Sequence, residues 1–147
     1  MEKKKLCSAL IIILFALFDF NKSYANENFD DVKPLDISKS ELAYFVSFSI
    51  PEEQLVNLIR MAERKDIPVY INGLINNSMK QTARAILYLV NKYNIKGVLV
   101  DPYRFEYYGI KSVPALVKKC DQDFDVLFGN LNIEQSIEII NQEGDCK

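Results

Sequence analysis

The chain has 147 residues, of which 18 are Lys or Arg and 20 are Asp or Glu, and its formal net charge is −2. Nucleic acids and anionic lipids are bound by clustered Lys and Arg. Because this chain is mildly acidic and has no basic stripe, we expect neither of them as a partner. Histidine is absent, which excludes Ser-His-Asp triads, Cys-His pairs and His-ligated metal sites.

Residues 1–25 have the pattern of a secretory signal peptide. Lysines near the start are followed by an apolar run from Leu6 to Phe18 and by a small-x-small ending at Ala25. A retained membrane anchor is the alternative, but the run is shorter than the roughly 20 residues that span a bilayer. We therefore expect an exported protein without a membrane anchor after cleavage, with a flexible segment at 26–41 and one domain at 42–147.

Hydrophobic period, capping residues and turn residues predict strands that alternate with helices. In chain order they are a strand at 43–48, a helix at 51–65, a strand at 67–72, a helix that follows a cap at 76–78, a strand at 97–100, a helix at 103–108, strands at 115–119 and 126–128, and a helix at 132–141. The order βαβαβαββα indicates parallel neighbours closed by an antiparallel edge. The predicted fold class is therefore α/β, with a mixed central sheet flanked by helices.

Two of these helices carry specific signals. A capping box is predicted from Ser49 to Glu52, with Pro51 in the first turn of the helix. The helix that follows the cap at 76–78 has one apolar stripe, which is predicted to be core rather than a partner-binding face. The members of the stripe are Met79, Ala83, Ile86, Leu87 and Val90.

The acidic segments carry weak signals of chemistry. The run at 121–125 resembles the start of a calcium loop, but Val126 stands where the sharp turn needs glycine and Asn132 where a bidentate Glu is needed. A solvated hairpin turn explains the run better. Asp101 ends a buried strand, where it either acts as a base in a cleft or, as we expect, begins the turn into the next helix. The sequence has no glycine-rich phosphate loop, so no cofactor and no metal are expected.

Two cysteines remain after signal cleavage, Cys120 and Cys146. In the predicted topology Cys120 ends the first strand of the hairpin and Cys146 follows the last helix, so both lie at the same end of the domain. We therefore expect a structural disulfide in the exported protein. Two free thiols and an exchangeable pair are the alternatives, although this pair lacks the Cys-x-x-C setting that lowers a thiol pKa.

The stretch YYGIKSVPALV at 107–117, together with the order of elements, resembles the thioredoxin fold. In that fold the proline is cis and its loop faces the redox pair, so Pro114 is the cis-proline candidate. One alignment puts the redox position at 76–79 and a second puts it at 49–52. The first is preferred because it uses every element without an insertion. Neither segment contains cysteine, so dithiol exchange is chemically unavailable there.

Four motifs are spread over 43–140: FVSFSIPEEQL, INGLINNS, VDPYRFEYYGIKSVPALV and DVLFGNLNIEQSIEII. In this order and spacing they resemble the TrbC family of F-type conjugative transfer systems. The resemblance implies a periplasmic, non-enzymatic component that is needed to assemble the conjugative pilus of a type IV secretion system. It implies TraW-like periplasmic partners and pilin as a further possible partner. Because no fused TraW-like region is recognised, we expect a separate partner protein. The family transfers no catalytic residues.

A protein-binding surface is predicted on the former redox face, where a helix N-terminus would meet the exposed backbone of the proline loop. Its candidate residues are Gly73, Asn76, Asn77, Ser78, Val113 and Pro114. The same residues can instead serve only to shape turns and caps. Two other functions stay open: a thiol-disulfide oxidoreductase or isomerase that uses Cys120 and Cys146, and a chaperone for pilin.

Overall fold

The computed structural model describes residues 37–130 and 132–147. The predicted signal peptide and residues 26–36 of the predicted flexible segment lie outside the described residues. Within the described ranges, no helix combines the length and the apolar character needed to cross a bilayer.

The elements follow the predicted order. The strands are β1 (Ser40–Val46), β2 (Val69–Ile71), β3 (Leu99–Val100), β4 (Ala115–Cys120) and β5 (Asp123–Phe128). The helices are α1 (Glu52–Glu63), α2 (Met79–Tyr93), α3 (Pro102–Tyr107) and α4 (Ile133–Glu143), and a short 3-10 turn, Ile75–Asn77, precedes α2. β5 begins earlier than predicted because the hairpin turn before it is only Asp121 and Gln122.

The five strands form one mixed sheet in the order β3-β2-β1-β4-β5. β1 pairs in parallel with β2, and β2 in parallel with β3, as strands joined through helices do. β4 runs antiparallel to β1, and β5 runs antiparallel to β4. The predicted α/β class and its antiparallel closure are confirmed.

The first strand begins earlier than predicted. Ser40 pairs with Cys120 and Glu41 pairs with Lys119, so the end of the predicted flexible segment belongs to the sheet. Ile37 packs against a buried cluster of the same domain. β1 gains these residues because β4 extends to Cys120 and offers them backbone partners.

The two faces of the sheet have separate buried clusters. Alternation along β1 sends Tyr44 and Val46 to one face and Ala43 and Phe45 to the other. Residues of α1, α2 and α4 pack on the first face. Among the described helices, the short α3 is the one that packs on the second face, through Phe105.

The capping box predicted at Ser49 does not form. The Ser49 hydroxyl hydrogen-bonds the Ser47 hydroxyl at 3.0 Å, and Pro51 occupies the N-cap position of α1 without a side-chain cap. The physical reason is a turn after β1, in which the Ile50 N–H donates to the Ser47 carbonyl at 3.1 Å. Because of this turn, α1 begins only at Glu52. The negative charge of Glu52 is favourable in the first turn of a helix.

Three of the five residues in the apolar stripe of α2 are exposed, so the prediction that the stripe is core is wrong for them. Met79 is 62% exposed and Leu87 is 57% exposed, and Ala83 is exposed as well. The buried side chains of α2 are instead Thr82 and Leu89. At about 3.6 residues per turn, this buried face lies roughly 90° from the centre of the predicted stripe.

The position of α2 near an edge of the sheet explains the rotation. Ile86 and Val90 lie against Gly97, just before the edge strand β3, and a Cβ on that glycine would be 3.3 Å from Val90 Cγ2. Beyond β3 the described part of the chain has no further strand. One side of the stripe therefore meets the domain and the other side faces solvent.

Candidate functional site

Pro114 lies at the edge of the sheet where the parallel strands β1, β2 and β3 end, which we call the carboxyl edge. The Val113–Pro114 peptide bond is cis, and Ala115 pairs with Phe45 near the end of β1. The Pro114 carbonyl accepts a hydrogen bond from the Gly129 N–H at 2.8 Å. This bond joins the proline loop to the end of β5.

The strand order decides which segment lies beside the proline loop. β4 pairs directly with β1, whereas β2 is the next strand beyond β1. Because neighbouring strands are about 4.8 Å apart, residues 47–51 after β1 are adjacent to the loop, and residues 72–78 after β2 are one strand further away. Strand order therefore favours the alignment with the redox position at 49–52 and corrects our preference for 76–79.

The segment beside the proline loop carries hydroxyls and apolar side chains. The Ser49 N–H donates to Ser47 Oγ at 3.1 Å, which holds the turn after β1. Phe48 and Ile50 are half-buried and line a groove of about 160 Å³. The other residues that line it are Glu52, Leu55, Ala85, Tyr88 and Leu89. Such a groove can bind an apolar side chain, whereas two serines in a chain without histidine lack the usual base that activates a nucleophile.

Glu52 stands at the start of α1 and joins it to the end of α2. Its Oε1 accepts hydrogen bonds from Lys92 Nζ at 2.8 Å, Tyr93 OH at 2.5 Å and Tyr88 OH at 3.3 Å. Lys92 Nζ also lies 5.0 Å from the ring centroid of Tyr88 and 4.9 Å from that of Tyr93. We call these four residues the Glu52 clamp. The clamp holds α1 and α2 together beside the groove.

The clamp changes the acidity of its members. Hydrogen bonds from Lys92 and then Tyr93 hold the pKa of the Glu52 carboxyl below its usual range. The hydrogen bond to Glu52 raises the pKa of Lys92 above its ordinary value, and the same carboxylate raises the pKa of Tyr93. The carboxylate and the ammonium are therefore both favoured in their charged forms.

We expect the replacement Lys92→Met to raise the pKa of Glu52 towards the ordinary glutamate range, because it removes the strongest donor to the carboxylate. Since the folded-state pKa is the lower one, the clamp stabilises the fold above the unfolded-state pKa. That contribution is lost as the pH falls through the folded-state pKa. A carbon-13 NMR titration of the labelled carboxyls measures the change.

The control for this titration is Lys80→Met, which removes a positive charge from the same helix at a residue outside the clamp. It should leave the pKa of Glu52 close to that of the wild type. Equal Glu52 pKa values in the wild type and in Lys92→Met would contradict the clamp.

The segment after β2 forms a tight turn into α2. Asn76 and Asn77 have φ angles of 49° and 52°, in the left-handed region that asparagine tolerates better than most residues. Ser78 is the N-cap of α2, and its Oγ accepts from the Gln81 N–H at 3.3 Å. The buried Thr82 hydroxyl donates to the Ser78 carbonyl at 2.9 Å, and this bond connects the end of the turn to α2.

The predicted binding residues thus divide by role. Ser78 serves as a cap, while Gly73, Asn76 and Asn77 have exposed positions. Val113 and Pro114 are half-buried. All six residues lie at the carboxyl edge. The strand β1, which residues 47–51 follow, lies between β2 and β4 and therefore separates Gly73, Asn76, Asn77 and Ser78 from the proline loop.

Cys120 and Cys146 form a disulfide, at the opposite edge of the sheet from Pro114. Cys120 ends β4, so roughly 17 Å of strand separates it from Ala115 at about 3.4 Å per residue. Cys146 is 1% exposed, and its N–H donates to an Asp125 carboxylate oxygen at 2.8 Å. The bridge fastens the chain after α4 to the hairpin, away from the proline loop.

The acidic residues singled out in the sequence have structural partners. Asp101 is the N-cap of α3, where it accepts from the Arg104 N–H at 3.0 Å and pairs with the Arg104 guanidinium at 2.5 Å. Arg104 also pairs with Glu41 at 3.4 Å. Asp121 belongs to the hairpin turn, and Asp125 accepts backbone N–H groups after α4. These contacts favour the structural interpretation of both acidic segments.

Sequence reasoning missed the Glu52 clamp. Its partners lie 36 to 41 residues further along the chain, and no local pattern joins them to Glu52. The one available signal was the spacing of Tyr88 and Lys92, which places them on one face of a helix at i and i+4.

The order of elements, the mixed sheet and the cis bond before β4 are consistent with a thioredoxin-like domain. In the alignment that strand order favours, Ser49 and Glu52 stand at the redox position, and neither is a thiol. The chain belongs to the family of type-F conjugative transfer system pilin assembly proteins, whose sequence model matches residues 44–140. The family resemblance of the sequence motifs is therefore confirmed.

A named relative supports the same family. Over 104 residues the chain is 45% identical to the periplasmic protein TrbC of Escherichia coli (strain K12). The aligned region covers 71% of this chain and 49% of that protein. The chain thus spans about half the length of this relative. No solved structure matches the chain.

Proposed function

We propose that the chain is a periplasmic, non-enzymatic component of an F-type conjugative type IV secretion system. It acts in pilus assembly through protein-protein contacts on a thioredoxin-like scaffold. The observation that carries the proposal is the family match over residues 44–140. The signal-peptide pattern at 1–25 and the periplasmic name of the relative support the compartment. Its partners are TraW-like periplasmic transfer proteins, and pilin is a further candidate.

Two observations support a binding role over thiol chemistry. The segment beside the proline loop contains no thiolate, which is the nucleophile that disulfide exchange requires. The cysteines of the described domain are joined to each other at the far edge, with Cys146 buried. A bridge that has one buried cysteine and is distant from the proline loop suits a structural role.

The partner surface that we propose is the carboxyl edge. Its centre is the groove at Phe48 and Ile50 beside the Val113–Pro114 loop, and the exposed Asn76 and Asn77 lie at its margin. Apolar side chains in a groove with a polar margin are the usual anatomy of a protein interface. The Glu52 clamp would keep this surface in one conformation before the partner binds, which lowers the entropy lost on binding.

Complementation tests the function. Donor cells whose F-type transfer system lacks its own TrbC should recover pili and DNA transfer when this chain is expressed and exported. Pili are counted by electron microscopy, and transfer is counted as recipients that acquire the plasmid. Exported, folded protein that restores neither would overturn the proposed function.

The margin of the surface is tested by replacing Asn76 and Asn77 with glycine. Glycine adopts positive φ freely, so Asn76→Gly with Asn77→Gly removes the side chains and keeps the turn. We expect pilus number and partner affinity to fall about tenfold, equivalent to about 1.4 kcal/mol of binding free energy.

The matched control is Asn94→Gly, at an exposed asparagine with φ of 52° at the other end of α2. It should assemble pili at the wild-type level. If the double variant matches this control in pilus number, the two side chains shape the turn and do not contact a partner.

A further inference from the structure

Helix α2 presents an apolar face to solvent next to the carboxyl edge. Met79 and Leu87, both more than half exposed, lie on one side of the helix, and the exposed Ala83 lies between them at i+4 spacing. Apolar residues at this spacing normally pack against another element, so the exposed side of α2 is suited to contact another protein.

The charged residues of α2 itself all have one sign. α2 contains no acidic residue, and the exposed Lys80 and Arg84 are adjacent to Met79 and Ala83 on the same side of the helix. Neither cation forms an ion pair within residues 37–130 and 132–147. In a chain whose net charge is −2, this surface is locally basic. It is therefore complementary to an acidic partner.

The same surface begins next to the candidate site. The first turn of α2 directly follows the exposed asparagines at 76 and 77, whereas Ala85, Tyr88 and Leu89, which line the groove, lie on the other side of the helix. A partner that contacts these asparagines therefore also reaches the exposed side of α2.

We propose that the α2 face, defined as Met79, Lys80, Ala83, Arg84 and Leu87, binds an acidic amphipathic segment of a partner protein. Apolar residues of the segment pack on the two long side chains and the alanine, and its carboxylates pair with the two cations. The proposal rests on the proposed function and adds the chemistry of the partner. Contacts of this kind use anchors at i, i+3 or i+4, and i+7.

A protein segment suits this face better than a lipid surface. Electrostatic recognition of anionic lipids uses clusters of about 4 to 8 Lys or Arg residues. The α2 face supplies only Lys80 and Arg84, in a chain with a negative net charge. The exposed apolar residues span little more than two turns, which is the length of a short helical or extended peptide contact.

Two labelled synthetic peptides test the proposal with the full exported protein. Both carry leucine at i, i+3, i+4 and i+7; one has glutamate and the other lysine at the flanking positions. By fluorescence anisotropy, we expect the glutamate peptide to bind at least about tenfold more tightly than the lysine peptide. Added salt should weaken this binding, because the charged groups are exposed.

Variants of the α2 face sharpen the test. Lys80→Glu with Arg84→Glu should reverse the preference between the two peptides, and Leu87→Glu should abolish binding. Lys39→Glu with Lys147→Glu makes the same change in net charge at two other exposed lysines and should leave the preference unchanged. Leu99→Glu places the same substitution at a leucine that is 55% exposed on the edge strand β3, and should leave binding unchanged.

The outcomes separate the two proposals. Equal affinity for the two peptides, or an unchanged preference in Lys80→Glu with Arg84→Glu, would overturn the α2 face. Stronger binding to phosphatidylglycerol vesicles than to the glutamate peptide would also overturn it, in favour of a membrane contact. In the donor cells of the complementation test, the variant Lys80→Glu with Arg84→Glu should lower the number of pili. Failure of the wild-type chain to complement would instead count against the proposed function, whatever the peptides show.

Discussion

Replacing Phe45 with alanine should lower the free energy of unfolding by about 3–5 kcal/mol, the range for removing a buried phenylalanine ring. Phe45 is 0% exposed. Its ring centroid lies 4.9 Å from that of Phe105, 5.7 Å from Tyr70 and 6.0 Å from Tyr108. Because α3 is the described helix that packs on this face of the sheet, few other side chains can move in to fill the cavity.

Urea unfolding followed by circular dichroism measures this loss. Phe128→Ala is the control, since that ring is 45% exposed and its removal should change the free energy of unfolding by no more than about 0.5 kcal/mol. A loss below about 1 kcal/mol in Phe45→Ala would show that this face collapses around the missing ring. Since Phe45 pairs with Ala115, the same variant should also weaken partner binding at the carboxyl edge.

Removing the disulfide should have the second largest effect. The double variant Cys120→Ala with Cys146→Ala should lose about 3 kcal/mol of unfolding free energy, because the bridge restricts the unfolded chain over a sequence separation of 26 residues. It should nevertheless assemble pili at growth temperatures well below its midpoint of unfolding. A loss of unfolding free energy without a loss of pilus assembly is expected only if the disulfide has a structural role.

The control is the wild-type protein in dithiothreitol, whose midpoint of unfolding should fall to about that of the double variant. Equal shifts would assign the loss to the bridge rather than to the two side chains. A folded double variant that assembles no pili would contradict a structural bridge and favour the oxidoreductase or isomerase alternative.

The fold could be predicted largely from local pattern. Short apolar runs, helical spacing and caps located every described strand and helix, because each element forms mainly from residues close in sequence. The turn into α2 is an example: Asn76 and Asn77 adopt positive φ angles, and Ser78 caps the helix through a contact three residues away. The family resemblance was equally accessible, since it depends on motif order alone.

The candidate site was less predictable because it depends on which strands are neighbours. Sequence spacing could not tell whether β4 would pair with β1 or with β2, and that choice puts residues 47–51, rather than 72–78, beside Pro114. The rotation of α2 is of the same kind. Amphipathic spacing indicates that a helix has an apolar side, but the edge of the sheet limits how much of that side is covered.

Residue type and spacing along the chain were thus sufficient for the α/β class, the order of elements, the family and the absence of thiols at either candidate redox segment. Tertiary packing alone decided the neighbour of the proline loop, the Glu52 clamp and the exposure of Met79 and Leu87. The physical reason is range. Hydrogen bonds within a helix or turn join residues a few positions apart, whereas strand pairing and helix docking join residues tens of positions apart, and local pattern does not encode those partners.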